Sequence, residues 1–221
     1  MKTIWLVVPC YNEEEVLPET SKQLKNVMSS MIENGKISPE SKIAFVNDGS
    51  KDNTWNIIST LCTGDGIFAG INLSRNKGHQ NALLAGLMTA KKYADAVISL
   101  DADLQDDVNA IEKMVDNFIA GDDIVYGVRS SRKTDTFFKR FTAEGFYKFM
   151  AAMGVEIVFN HADYRLMSRR ALDALSKFDE VNLFLRGIVP QIGFKTYTVQ
   201  YERKERLAGE SKYPLKKMLS F

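Results

Sequence analysis

In the first 128 residues, short β-branched runs alternate with helix-like segments, and three of those runs stop on clusters of polar or acidic residues. Thr3 to Val8 (TIWLVV) reads as a strand, Glu13 to Ile32 as a helix and Lys42 to Asn47 as a second strand. DGSKDNTWNII turns at Gly49 and restarts a helix, with Asp52 as its cap. Ile67 to Leu73 is a third strand, Asn81 to Tyr93 a helix rich in Ala and Leu, Ala96 to Leu100 a fourth strand and Asp123 to Val128 a fifth. This alternation predicts a doubly wound α/β sheet. Ligands of such sheets sit outside the carboxyl ends of the strands, so PCYNEE, NDGS and DADLQDD are expected to share one crevice.

DADLQDD poses an electrostatic problem, because Asp101, Asp103, Asp106 and Asp107 crowd within seven residues behind an apolar strand. Like charges this close repel unless a cation sits among them. Asp101 and Asp103 are two apart and face one way on an extended chain. Hard oxygen ligands suit Mg²⁺ or Mn²⁺, and a site with few protein ligands leaves positions for substrate phosphates. The plainer reading is a solvated turn, and Asp106 and Asp107 are assigned to the start of the next helix. Glu13 to Glu15 likewise fit the acidic first turn of a helix, and Asp48 fits an ordinary Asp-Gly turn.

Other chemistries are disfavoured. SRNKGHQNALLAGL lacks the second and third glycines of a dinucleotide fingerprint or a P-loop. His79 and His161 have no Ser or Cys nucleophile to pair with and are read as structural or surface residues. Cys10 and Cys62 match neither a zinc site nor a disulfide framework and read as small buried residues. No apolar run approaches the roughly 18 residues of a membrane span. Residues 1 to 128 carry 11 Lys+Arg against 18 Asp+Glu, whereas residues 129 to 221 carry 18 against 10, so the halves are −7 and +8. An acidic half suits a divalent cation and a basic half suits phosphate groups or an anionic membrane surface. Nucleic acid is not expected, because no base-reading motif accompanies the basic clusters.

Beyond residue 128 the pattern changes. Phe138, Phe141, Phe146, Phe149, Met150 and Met153 gather on one side of a broad amphipathic helix with Lys139, Arg140, Glu144 and Lys148 interspersed. It is either a core-packing helix or one lying in a membrane interface. DYRLMSRRALDAL then passes from strand into helix, and FKTYTVQYE alternates as a strand.

Taken together, VVPCYNEEE, VNDGSKDNT, NKGHQNALLAGL, DADLQDD and RLAGESKY resemble the family 2 inverting glycosyltransferases of GT-A fold. The resemblance, from Thr3 to Leu219, is closest to the polyprenyl-phosphate glycosyltransferases, including dolichol-phosphate mannose synthases and bacterial undecaprenyl-phosphate glucosyltransferases. It implies one α/β domain over residues 1–221, a Rossmann-like, mostly parallel sheet with an amphipathic membrane-interface helix. Residues 1–128 would form the nucleotide-sugar and metal half, and residues 129–221 the acceptor half. Pro9, Tyr11, Asn12, Glu13 and Asp48 would hold the nucleoside, with Asp101 and Ala102 beside it. Asp101, Asp103 and Gln105 would carry Mg²⁺ or Mn²⁺ on the diphosphate. Arg129 and Arg140 match the acceptor-phosphate arginines, joined by Ser211, while Arg206 and Lys212 in RLAGESKY approach the diphosphate or the acceptor.

The implied reaction is transfer of a hexose from a nucleotide sugar to polyprenyl phosphate, at the cytoplasmic face of the membrane. UDP-glucose is favoured over GDP-mannose. A phosphate monoester has a second pKa of about 6, so at neutral pH the acceptor is already nucleophilic and needs no histidine base. Arg129, Arg140, Arg206 and Lys212 would offset the repulsion between two anions. By analogy such proteins form tetramers and continue into two transmembrane helices, with Lys216 and Lys217 marking the boundary. Two alternatives stand beside this reading. A GT-A enzyme acting on a sugar hydroxyl would need Asp106 or Asp163 as general base, and a noncatalytic nucleotide-sensing module would need neither.

Overall fold

The computed structural model describes residues 1–130, 161–178 and 184–202. Seven strands form one sheet in the order β3-β2-β1-β4-β6-β5-β7. They are β1 (Ile4–Cys10), β2 (Lys42–Asn47), β3 (Phe68–Asn72), β4 (Ala96–Ser99), β5 (Ile124–Arg129), β6 (His161–Ser168) and β7 (Thr196–Tyr201). All neighbouring pairs are parallel except those of β6, which runs antiparallel to both β4 and β5. The central strands are buried on both faces, which explains their unbroken apolar runs.

Helices cover both faces, as expected of a doubly wound sheet. On one, α1 (Leu17–Glu33), α2 (Thr54–Gly64) and α4 (Ala110–Ile119) pack Leu24, Met28, Ile58, Ile111 and Met114 against Leu6, Phe45 and Ile98. On the other, α3 (His79–Ala90), α5 (Arg169–Leu175) and α6 (Leu185–Ile188) bring Leu83, Leu87, Leu172 and Leu185 against Val7, Val46 and Met167. The close seat of α3 depends on Gly86, where a Cβ would lie 2.4 Å from Val7 Cγ1 and 2.8 Å from Val46 Cγ2.

The element boundaries correct the sequence reading in places. Glu13 to Glu15 form no helical first turn, because α1 begins at Leu17 with proline at its entry and Glu19 as its acidic residue. Asp52 is one residue ahead of the N-cap of α2, yet its Oδ1 accepts the Thr54 N–H at 3.0 Å and so serves that end. Asp106 and Asp107 do not start α4, which begins at Ala110. Asp107 lies in the preceding turn, and Asp106 is buried. Cys10 is buried and Cys62 partly so, both as free thiols. The Phe-rich segment with Arg140, and the RLAGESKY segment with Arg206, Ser211 and Lys212, lie outside the described residues. No helix among the described residues is long and apolar enough to cross a membrane.

Candidate active site

The strand order turns back between β1 and β4, the point where a crevice opens in folds of this kind. The loops after β1 and β2 are stitched together across that opening. Asn12, at φ +53, donates its N–H to Ser50 Oγ at 3.0 Å, and its Oδ1 accepts the Lys51 N–H at 2.8 Å. Glu13 donates its N–H to Thr54 Oγ1 at 2.8 Å. Pro9 is buried within β1 opposite Val46, and Tyr11 is half-buried beyond it. Asp48 is 3% exposed and accepts the N–H of Lys77 on Oδ1 at 2.6 Å and that of Gly78 on Oδ2 at 3.0 Å. Its carboxylate therefore organises the loop ahead of α3.

Past β4, burial alternates residue by residue. Ala102, Leu104, Asp106 and Val108 point inward, while Asp101, Asp103, Gln105 and Asp107 are partly exposed. The three residues expected to hold the cation are thus all partly open to solvent. Leu104 adopts φ +55 while its side chain packs in the core. That left-handed backbone costs an L-residue about 1–2 kcal/mol, offset here by burial. Ala102 is fixed by its carbonyl, which accepts Thr20 Oγ at 2.7 Å, and Gln105 donates its N–H to Asp103 Oδ1 at 3.1 Å.

Because β6 is antiparallel, its beginning rather than its end reaches the crevice. Ser99 pairs with Arg165, so extending the register by two residues sets Asp163 level with Asp101. His79, at the start of α3, stands between them with Nε2 3.6 Å from Asp101 and 3.5 Å from Asp163. The sequence reading of His79 as structural or surface did not include this pairing. Asp163, 3% exposed, accepts from Arg165 Nη2 at 2.5 Å, Arg186 Nη2 at 3.1 Å and Gln80 Nε2 at 3.1 Å. Burial alone would raise its pKa, but His79, Arg165 and Arg186 together hold the carboxyl well below the usual range. Those same carboxylates raise the pKa of His79 against the opposing effect of burial. Asp163 is therefore a fixed anion and a poor general base. Asp106, the other base considered, accepts both Tyr201 and Arg129 on Oδ1.

Burial, together with the charges of Asp106, Asp163 and Asp103, pushes Asp101 up to about 6 despite the pull of His79. Its side chain remains 36% exposed, so solvent tempers the crowding. Among the described residues no three His, Cys, Asp or Glu side chains form a closed metal cage. Two carboxylates and an amide, all partly exposed in one loop, still fit a hard divalent cation that takes its other ligands from phosphate oxygens. Burial first, and the neighbouring carboxylates after it, disfavour the Asp101 anion, and such a cation would offset both.

Residues 5–176 match the family model for Glycosyl transferase family 2. The chain belongs to glycosyl transferase family 2. Within the family it is 57% identical over 216 residues to the "Uncharacterized glycosyltransferase YkoT" of Bacillus subtilis, covering 98% of this chain and 64% of that protein. It is 42% identical over 212 residues to the "Bactoprenol glucosyl transferase" of Shigella phage SfV, covering 95% and 66%. The chain thus spans a little under two thirds of the length of these relatives. The fold matches glucosyl-3-phosphoglycerate synthase from Mycobacterium tuberculosis, solved with Mn²⁺, UDP-glucose and phosphoglyceric acid, with a TM-score of 0.58 at 16% identity over 98% of this chain and 74% of that one. It also matches S. aureus TarS solved with UDP-GlcNAc, with a TM-score of 0.56 at 13% identity over 94% and 60%. The α/β sheet is of the GT-A type, as the resemblance implied.

Four residues at the crevice were missed in the sequence: His79, Gln80, Arg165 and Arg186. Only one pair left a signal there. Asp163 and Arg165 are two apart in an alternating strand and so share a face, which marks a carboxylate with a built-in partner.

Proposed function

We propose that the protein transfers a hexose, glucose in preference, from a nucleotide sugar to a polyprenyl phosphate with inversion, at the cytoplasmic face of the membrane. The observation that carries this reading is the electrostatic design of the crevice. A carboxylate-rich loop suits a metal-borne diphosphate, Arg129 stands beside it, and Asp163 is held as a fixed anion by Arg165 and Arg186. Such a site suits a nucleophile that arrives already ionised, as a phosphate monoester does. The similarity to a bactoprenol glucosyl transferase supports the same acceptor, and the fold shared with UDP-sugar-bound structures supports a uridine donor.

In this reading Pro9, Tyr11, Asn12, Glu13, Asp48 and the backbone at Ala102 hold the nucleoside. Asp101, Asp103 and Gln105 would hold Mg²⁺ or Mn²⁺, which when bound stabilises charge on the departing nucleoside diphosphate. Arg129, with Arg140 and Ser211, orients the acceptor phosphate, and Arg206 and Lys212 screen the two anions from one another. A phosphate oxygen forms the new bond to the anomeric carbon as the bond to the diphosphate breaks, which inverts that centre. The basic half, residues 129–221, would face the lipid.

The test is mass spectrometry of lipid products from a panel of nucleotide sugars, with polyprenyl phosphate and soluble glycans as rival acceptors. A lipid-linked hexose is expected, and transfer to glycans alone overturns the proposal. A sugar-hydroxyl acceptor would need a general base, and the cation-saturated state of Asp163 weighs against it.

A further inference from the structure

Asp106 lies in the carboxylate-rich loop, yet its side chain turns away from the partly exposed row formed by Asp101, Asp103 and Gln105. We propose that Asp106 and Tyr201 form a buried bracket that turns Arg129 end-on toward the acceptor phosphate, an inference that rests on the acceptor role given to Arg129 above. Asp106 is 4% and Tyr201 5% exposed. The Tyr201 hydroxyl donates to Asp106 Oδ1 at 2.5 Å. Arg129 donates from Nη2 to that same oxygen at 3.2 Å and from Nε to the Tyr201 hydroxyl at 3.3 Å. The bracket thereby joins the loop after β4 to the ends of β5 and β7. Its base is pinned at Tyr201, whose carbonyl accepts the Ser130 N–H at 2.9 Å and the Ser130 hydroxyl at 3.1 Å.

The geometry selects which edge of the guanidinium remains for a ligand. Nε–H and one Nη2–H lie along the side edge of the planar fork, and both face the bracket. The end-on edge, Nη1 with the second Nη2 proton, has no hydrogen-bond partner among the described residues, and 30% of the side chain is exposed. That edge has the spacing for two parallel bonds to phosphate oxygens. Tyr201 also shares Oδ1 with Arg129 and so limits the carboxylate's hold on the arginine. Without that hydroxyl, Asp106 would draw the fork into a closed salt bridge. Because Asp106 belongs to the same loop as Asp101 and Asp103, the bracket fixes the acceptor cation relative to the donor site. Asp106 and Tyr201 are positioning residues in this scheme, acting through Arg129.

Tyr201→Phe is the discriminating variant, since its ring keeps the edge-on packing against Tyr164 at 5.3 Å and loses only the hydroxyl. In the full-length protein, KM for polyprenyl phosphate should rise about tenfold, the worth of a hydrogen bond to a charged group, with KM for the nucleotide sugar within about twofold of wild type. Asp106→Asn should act in the same direction. In an Arg129→Ala background, Tyr201→Phe should change the acceptor KM by less than about twofold, because the residue it positions is gone. An unchanged acceptor KM, a rise in donor KM instead, or the same rise in the Arg129→Ala background would overturn the bracket. Absence of lipid-linked sugar from wild type would refute the proposed function, and the bracket would then be judged by binding alone. Farnesyl monophosphate titrated by phosphorus NMR should bind Tyr201→Phe about tenfold more weakly than wild type. Equal affinity would refute the bracket.

Discussion

Gly49 and Gly35 provide a controlled experiment within one molecule. Both sit in the left-handed region, at φ +65 and φ +66. A Cβ on Gly35 would meet nothing within 4 Å, whereas a Cβ on Gly49 would lie 2.5 Å from Asn76 N, 2.6 Å from Arg75 C and 2.9 Å from Arg75 Cα. Gly35→Ala therefore costs only the conformational term, about 1–2 kcal/mol. Gly49→Ala adds an overpacking cost of about 1–3 kcal/mol, because the obstructing atoms are backbone and cannot rotate away. For a chain of this size the first should lower Tm by roughly 3–6 °C and the second by roughly twice as much. Urea unfolding followed by circular dichroism gives both values on one scale. A second readout separates the sites: pushing back residues 75 and 76 strains the two bonds from Lys77 and Gly78 to Asp48. Gly49→Ala should therefore weaken nucleotide-sugar binding several-fold, and Gly35→Ala should leave it unchanged. Equal destabilisation by the two substitutions, or unaltered donor binding in Gly49→Ala, would refute the close approach of these loops.

Asp103→Ala should lower Mn²⁺-dependent donor affinity at least about tenfold by calorimetry, whereas Asp107→Ala, in the turn before α4, should not. Asp163→Ala strands Arg165, whose side chain is 1% exposed, and should cost about 3–5 kcal/mol in urea unfolding. Replacing both by apolar residues, Asp163→Leu with Arg165→Met, should recover much of that stability and none of the activity. At the opposite end of β6, hydrogen bonding from Arg170 lowers the Asp123 carboxyl pKa against the effect of burial, with Ser168 adding to it. A lowered folded-state pKa means that this stabilisation is present above the ordinary Asp value of about 3.9 and is lost as pH falls through the lower one. Below pH of about 4, wild type should therefore lose stability more steeply than Asp123→Asn, read from urea midpoints against pH.

The strand-end loops that line the crevice were legible because each of them is local. A run of Val and Ile followed by NDGS or DADLQDD marks a strand and the polar loop at its end within ten residues. Asp101 and Asp103, two apart, are alike in being partly exposed. Asp106 was wrongly assigned to the start of a helix, because its partners Arg129 and Tyr201 are far away in sequence. The pairing of His79 was hidden for a related reason. Its neighbours Asp101 and Asp163 meet only if β6 inserts backwards between β4 and β5, and no local pattern reports strand direction. Arg186 enters from a four-residue helix too short to leave a periodicity.

The reversed strand also bears on how such a protein can change. Val128 of β5 pairs with His161 of β6, so the chain leaves the sheet and re-enters it at almost the same place. The segment between β5 and β6 therefore begins and ends at fixed points of the sheet. Lengthening such a segment twofold costs only about 0.6 kcal/mol in closure entropy. A change of length there is thermodynamically cheap, while the crevice is held by strands that need not move. The architecture therefore lets that segment vary while the crevice between β1 and β4 stays as it is.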